Sequence, residues 1–245
     1  MRIIADYHVH STYSRRNHGK STIEEIVQKA VELRLEQIAI TDHGPKHYLY
    51  GIKEEKIKEA KAKVIEMRKK YPNIKILLGV EANILDYNGS TDITDEVIKH
   101  CDIILCGYHM GALFSTPKDA WNFTVMNKLG RKNHKIFEEM KAKNTEAVVK
   151  AMNKYKINIL THPGDKIPLN TDLIARAAQK TGTILEINNS HSHLNAEEIK
   201  IASKYDVKFV INSDSHIVDT IGSFEKGLKA AKDANLDLSR IINLK

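Results

Sequence analysis

Short apolar runs alternate with longer amphipathic segments along most of the chain. Seven of these runs are rich in β-branched residues and bounded by polar residues or glycine; they span residues 3–7, 37–41, 75–80, 103–107, 157–161, 183–187 and 208–212. Runs of this kind are typical of strands buried on both faces of a parallel sheet. The pattern therefore predicts seven buried strands.

The segments between the runs carry apolar residues at helical spacing, which predicts helices with one buried face. We predict five such helices, over residues 23–33, 54–71, 172–180, 196–205 and 223–234. Two of them begin with a capping box, in which Thr22 precedes Glu25 and Asn195 precedes Glu198. Strands that alternate with helices form a parallel sheet with crossover helices, so the expected fold class is α/β.

Two segments interrupt the alternation. Residues 82–94 contain the Asn88-Gly89 pair, which predicts a tight hairpin turn. Residues 110–143 form a long excursion after the fourth strand and contain Trp121, the single tryptophan. Segments of that length usually act as lids or binding loops. Because no linker divides the chain, we expect residues 1–245 to form one domain, with 110–143 as its substrate-binding lid.

The composition is that of an ordinary enzyme, with 42% hydrophobic and 28% charged residues and a net charge of +7. The lysines are spread along the predicted helices, which favours a solvated helix surface over a binding site for anions or nucleic acid. Cys101 and Cys106 lack redox or zinc spacing and are expected to be small buried residues. With no membrane span or signal peptide in the pattern, we expect a cytoplasmic protein.

Residues that bind metals follow the ends of six predicted strands. His8 and His10 share one face at the end of the first strand because strand side chains alternate. The full set comprises nine residues: His8, His10, His18, His43, Glu81, His109, His162, Asp214 and His216. In an α/β barrel the carboxyl ends of the strands meet on one face, whereas an open doubly wound sheet would spread them along an edge. The set therefore favours a closed or nearly closed barrel.

Nine ligands are too many for one ion, because a catalytic zinc site uses about three protein ligands. They indicate three divalent ions, or two ions with additional groups around them. Glu81, the only glutamate of the set, is the natural bridge between ions. Imidazoles without a thiolate suit zinc, manganese and iron, and we rank them in that order.

These motifs resemble those of the PHP superfamily, named for polymerase and histidinol phosphatase, and in particular its stand-alone phosphoesterases. The signature runs cover residues 6–10, 40–43, 79–81, 107–109, 161–163, 185–189 and 212–216. The resemblance implies a distorted (β/α)7 TIM-like barrel with a trinuclear metal centre at the carboxyl ends of the strands. It also implies three ligand sets, which are His8, His10, Glu81 and Asp214; Glu81, His109 and His162; and His18, His43 and His216.

The expected activity is hydrolysis of a small phosphomonoester, as in a histidinol phosphatase. A metal-bound hydroxide held by Glu81, His109, His162 and Asp214 would attack phosphorus. The expected substrate contacts are Arg15, Arg16, Lys166, Asn189, His191 and Ser215. The sequence shows no group that would protonate the leaving alcohol, and it leaves the natural substrate and the oligomeric state open.

Two other functions are compatible with the same residues. The first is a metal-dependent nuclease or exonuclease, although the chain lacks a basic stripe with interleaved aromatic residues, so nucleic acid is the less favoured substrate. The second is a non-catalytic metal-binding interaction protein, which would be indicated by lost ligands. Since all nine positions are filled, we favour the phosphatase.

Overall fold

Seven parallel strands form one sheet in chain order, β1 to β7. A computed structural model describes residues 1–191 and 193–245. The strands are β1 Ala5–Asp6, β2 Gln37–His43, β3 Lys75–Asn83, β4 Ile103–Gly107, β5 Ile159–Leu160, β6 Ile184–Asn188 and β7 Phe209–Asn212. All seven predicted strands are therefore present. Strands β2 and β3 continue past their predicted ends, so His43 and Glu81 lie within the sheet.

Helices cover the outside of the sheet and connect its strands. They are α1 Ile23–Glu32, α2 Glu54–Lys70, α3 Asp95–His100, α4 Pro117–Trp121, α5 Asn127–Gly130, α6 His134–Lys154, α7 Thr171–Thr181, α8 Ala196–Ala202 and α9 Glu225–Asp233. A π-helical turn joins α4 to α5, and short 3-10 turns lie at Arg15–Asn17, Val218–Thr220 and Leu238–Arg240. Both predicted capping boxes are formed. Among the helices of the described residues, none has the length and apolar character to cross a membrane.

The segment after β4 differs from the prediction at its end. Helix α6 begins at His134, where the Asn133 side chain accepts a hydrogen bond from the Ile136 N–H. Residues 117–130 are also helical, so the irregular parts of the excursion are residues 110–116 and 131–133. Sequence reasoning placed its end at residue 143 because the first buried residue of α6 is Met140, so the first turns lack an apolar face. The predicted hairpin turn is present, with Gly89 at φ +74°.

Alternate residues of the strands pack into two apolar layers. On β2, Ile38 and Ile40 belong to the large core between the sheet and the helices, whereas Ala39 faces a smaller cluster. That smaller cluster contains Ala5, Tyr7, Ala39, Leu105, Ile159 and Val210, contributed by strands from around the sheet. Because these side chains meet each other, the sheet curls around them into a nearly closed barrel. The predicted barrel is confirmed, and the open sheet is excluded.

Side chains join the two outer strands of the barrel. Near the carboxyl ends, the Tyr7 N–H donates to Asn212 Oδ1 at 3.0 Å, and a parallel bridge joins Val9 to Ser215. Near the opposite ends, Asn243 is fully buried; its Nδ2 donates to the carbonyls of Ala5 (2.8 Å) and Ile211 (2.6 Å). Asn243 thus links β1 to β7 through backbone groups that would otherwise be unpaired.

We expect Asn243→Ala to lower the free energy of unfolding by about 2–4 kcal/mol, because it leaves buried backbone groups of β1 and β7 without partners. Asn73→Ala is the matched control, since Asn73 is exposed. Denaturant unfolding followed by circular dichroism measures both. A change for Asn243→Ala no larger than that for the control would show that this asparagine does not hold the barrel closed.

Candidate metal centre

All nine predicted ligands lie together at the carboxyl ends of the strands, around Glu81. The Glu81 Oε1 atom lies 3.0 Å from His109 Nε2 and 2.9 Å from His162 Nε2. Its Oε2 atom lies 3.2 Å from His8 Nε2 and 3.0 Å from His43 Nδ1. One carboxylate, only 1% exposed, is therefore in contact with four imidazoles from β4, β5, β1 and β2 or the residues that follow them.

A second group of side chains lies around Asp214. The Asp214 Oδ1 atom lies 3.3 Å from His10 Nε2 and 3.5 Å from His8 Nε2. The His216 and His18 rings are nearly perpendicular, with their Nε2 atoms 2.9 Å apart, and the His216 ring stacks on His10. His8 and His10 therefore link the group around Asp214 to the group around Glu81.

Two of these side chains depend on an uncommon backbone conformation. His162 has φ +28° and Asp214 has φ +55°, values that non-glycine residues rarely adopt. The His162 N–H is held by Glu186 Oε2 at 2.8 Å. Strained conformations of this kind persist where the surrounding structure enforces them, commonly at functional sites.

Electrostatics keep the imidazoles around His10 neutral and the carboxylates charged. Burial lowers the pKa of His10, His18 and His43 to about 3. Burial opposes ionisation of Glu81, but the imidazoles of His109, His8 and His43 outweigh it and hold its pKa well below the usual range. Nearby carboxylates overcome burial and raise the pKa of His8 and His162. Metal ions bind neutral imidazole and ionised carboxylate, so a bound ion would displace the proton from these two rings.

Buried ring nitrogens without hydrogen bonds also fit the donor set of a metal centre. Within the described part of the chain, His8 Nε2, both His10 nitrogens and His43 Nδ1 are buried and have no hydrogen-bond partner. Groups of three ligand atoms within 4.8 Å of one another occur repeatedly in the cluster, such as His43, Glu81 and His109. Nitrogen and oxygen donors in this arrangement suit zinc, manganese or iron.

Glu186 on β6 holds the cluster from beneath, and sequence reasoning gave it no role. Its Oε1 atom accepts hydrogen bonds from His8 Nδ1 and Asn212 Nδ2, each at 2.8 Å. Its Oε2 atom accepts from the His162 N–H and from Asn188 Nδ2. The sequence contained one indication of this role. Glu186 and Asn188 are two residues apart on β6, so their side chains lie on the same face of the strand.

Asp42 fixes the loop between His10 and His18. This fully enclosed carboxylate accepts hydrogen bonds from Ser11 N–H (2.7 Å), Ser11 Oγ (2.6 Å) and Ser14 Oγ. Burial raises its pKa to about 6. These hydrogen bonds tie the loop to β2. They explain how His18, which lies far along the chain from β1, still reaches the cluster.

His47 and Tyr50, to which sequence reasoning gave no function, pack against two of the ligands. The His47 ring stacks on His43 with centroids 4.5 Å apart, and the Tyr50 ring stacks on His18 at 3.9 Å. The Tyr50 N–H donates to His47 Nδ1 at 3.1 Å, which leaves the proton of a neutral His47 ring on Nε2. These two rings set the orientation of His43 and His18.

A cavity of about 320 Å³ opens above the cluster. Lys166 and His191, two of the six predicted substrate contacts, lie on its wall. Asp165 lies 3.0 Å from Lys166 Nζ and 3.4 Å from His191 Nδ1. His191 Nε2 lies 3.5 Å from Asp214 Oδ2, so this side chain stands between Asp165 and the cluster.

The other four predicted contacts have different surroundings. Asn189 Oδ1 accepts two backbone N–H bonds at the start of α9, and Ser215 Oγ donates to a carbonyl of its own loop. Arg15 donates to two carbonyls of the loop between β2 and α2, and Arg16 is exposed. Asn189, Ser215 and Arg15 thus form hydrogen bonds to backbone groups. The proposed substrate site includes none of these four residues.

The fold and the cluster together define a parallel barrel with a candidate metal centre. A profile of the PHP domain matches residues 6–237. A probable phosphatase of Thermoanaerobacter sp. (strain X514) is 30% identical over 99% of this chain and 91% of its own length. A probable phosphatase of Acetivibrio thermocellus is 29% identical over 99% of this chain and 92% of its own length. The chain therefore belongs to the PHP domain family.

A solved structure shares the fold at low sequence identity. It is histidinol phosphate phosphatase from Lactococcus lactis, complexed with zinc, L-histidinol and phosphate. The TM-score is 0.63 at 15% identity, and the alignment covers 96% of this chain and 95% of that one. The similarity supports the barrel assignment over nearly the whole length.

We expect Glu186→Gln to reduce the affinity of the cluster for divalent ions by about 10–100-fold. All four partners of Glu186 donate hydrogen bonds to its carboxylate. The amide nitrogen of a glutamine is itself a donor, so it would oppose some of these donors instead of accepting from them. Glu197→Gln is the control, because Glu197 is exposed at the start of α8. Zinc titration by calorimetry measures both variants. Equal affinity in Glu186→Gln and the unsubstituted chain would show that Glu186 does not position the ligands.

Proposed function

We propose that this protein is a metal-dependent phosphatase that hydrolyses small phosphomonoesters. The observation that carries the proposal is the Glu81 carboxylate, buried among His8, His43, His109 and His162 with ring nitrogens at 2.9–3.2 Å. A cluster of this donor set beneath a cavity suits catalysis on an anionic substrate. The relatives named as probable phosphatases support the same activity.

Three divalent ions account best for the number of ligands. One would be held by His8, His10, Glu81 and Asp214, a second by Glu81, His109 and His162, and a third by His18, His43 and His216. Zinc is our first choice, ahead of manganese and iron, and the zinc in the Lactococcus lactis structure supports that order. When bound, the ions supply water activation at neutral pH and positive charge opposite the phosphoryl group.

The protein's own residues would bind and orient the substrate above the cluster. Lys166 is exposed at the cavity wall and would contact a non-bridging phosphoryl oxygen as a flexible cation. Asp165 holds the Nδ1 side of His191, which directs the other ring nitrogen toward Asp214 and the cavity. Leu49 and Met110 add apolar side chains to the lining of the same cavity.

The substrate is expected to be a small molecule and not nucleic acid. Many surface lysines pair with carboxylates one helical turn away, so their charge is balanced locally and does not form a basic tract. Such pairs include Lys56–Glu59, Lys63–Glu66, Lys143–Glu139, Lys150–Glu146 and Lys200–Glu197. Histidinol phosphate is one candidate, alongside sugar and nucleotide phosphates.

The proposal predicts chelator-sensitive release of phosphate from p-nitrophenyl phosphate, restored by zinc, manganese or iron. Asp214→Asn should lower kcat/KM by about a hundredfold or more, because it weakens a ligand at the centre of the cluster. Asp219→Asn is the matched control on the exposed part of the same loop. Labelled single-stranded DNA should remain intact in the same preparation.

Three results would contradict the proposal. Degradation of the DNA without hydrolysis of any monoester would favour the nuclease, and metal binding without either activity would favour an interaction protein. Unchanged kcat/KM in Asp214→Asn would show that the hydrolysis does not arise at this cluster.

A further inference from the structure

A second cavity, of about 400 Å³, lies beside the candidate metal centre. Lys166 lies on the walls of both cavities, so they meet at this side chain. The opposite wall of the second cavity comes from the segment after β4, through Arg131 and Phe137. This segment therefore borders the route by which a substrate would extend away from the cluster.

We propose that the second cavity holds the alcohol portion of the substrate and that Arg131 binds a second acidic group on it. The preferred substrates would then be phosphomonoesters that carry a further carboxylate or phosphate. This inference rests on the proposed phosphatase function and names the substrate class for the same site.

The first cavity is at the small end of the range for ligand sites. Ligand sites usually occupy about 300–1,000 Å³. The space of about 320 Å³ above the cluster must accommodate the phosphoryl group together with the ions. A larger alcohol portion would therefore extend past Lys166, and the adjoining cavity offers room for it.

The turn between α5 and α6 fixes the place of Arg131. Gly130 packs so closely on Phe137 that a Cβ atom at Gly130 would lie 3.2 Å from the Phe137 Cα. The Lys132 N–H donates to the Leu129 carbonyl at 3.0 Å, and Asn133 caps α6. Arg131 therefore extends from a tight, hydrogen-bonded turn and not from a loose loop.

The charges around the second cavity leave Arg131 available for an anion. Asp165 lies on the wall, but it is already paired with Lys166 at 3.0 Å and with His193 Nε2 at 3.1 Å. Arg131 has no ion-pair partner among residues 1–191 and 193–245. A guanidinium binds carboxylate and phosphate through two parallel hydrogen bonds, which makes it selective for such groups.

The rest of the wall of the second cavity suits a substrate with an apolar or planar portion between its two acidic groups. The Phe137 ring is partly exposed there, next to Ile167 and Pro168. Contact with these side chains would add apolar burial to the ion pair at Arg131. The arrangement would place one acidic group at the metal centre and the other at Arg131.

The test compares substrates that differ in one acidic group. The metal-loaded protein is assayed with 3-phosphoglycerate against glycerol 3-phosphate, and with fructose 1,6-bisphosphate against fructose 6-phosphate. We expect kcat/KM to favour the member with the extra acidic group by about tenfold or more in at least one pair. Arg131→Gln should reduce that preference about tenfold, mainly through KM. Lys132→Gln, a neighbouring exposed cation outside the cavity, should keep both the preference and the activity.

Three outcomes would overturn the inference. The unsubstituted protein could hydrolyse monoesters with no preference in either pair. Arg131→Gln could lower kcat/KM equally for both members of a pair, or Lys132→Gln could reduce the preference as much as Arg131→Gln does. Absence of hydrolysis with every substrate, p-nitrophenyl phosphate included, would instead refute the proposed function itself.

Discussion

The structure depends on one constraint, which is that the negative charge of a buried carboxylate must be compensated. Glu81 is removed from water, and an ionised carboxylate in that position requires opposite charge nearby. Among its imidazole neighbours, burial favours the neutral form of His43, whereas nearby carboxylates overcome burial and raise the pKa of His8 and His162. A neutral ring supplies a lone pair but no positive charge, which divalent ions bound to the cluster would supply. The same ions would compensate the charge of a phosphate ester, which links the stability of the cluster to its proposed chemistry.

Closure of the barrel is what brings these side chains together. The ligands come from strands at opposite edges of the sheet, and they meet because β1 and β7 are joined by the Val9–Ser215 bridge at one end. At the other end Asn243 pairs with backbone groups of both strands. Glu186 then fixes the His8 side chain and the His162 backbone. The geometry of the cluster is therefore set by contacts inside the barrel.

The strands, and the convergence of the nine candidate ligands, could be predicted because both follow local rules. Buried strands appear as apolar runs, and a histidine just past such a run lies at the carboxyl edge of the sheet. Asn243 and Glu186 could not be assigned roles this way, since their partners are distant in sequence and depend on how the barrel closes. Helix α6 is not among the five predicted helices, because its first turns are exposed and show no apolar face. Asn189 was an expected substrate contact, and its oxygen accepts hydrogen bonds from the start of α9.

Anomalous diffraction from crystals grown with zinc tests the central claim most directly, because it locates ions without reference to activity. The account predicts three anomalous peaks among the nine side chains, with Glu81 bridging two of them and zinc–nitrogen distances of about 2.0–2.1 Å. A protein whose anomalous peaks lie elsewhere, or whose cluster retains these side chains without any metal at saturating zinc, would contradict the account.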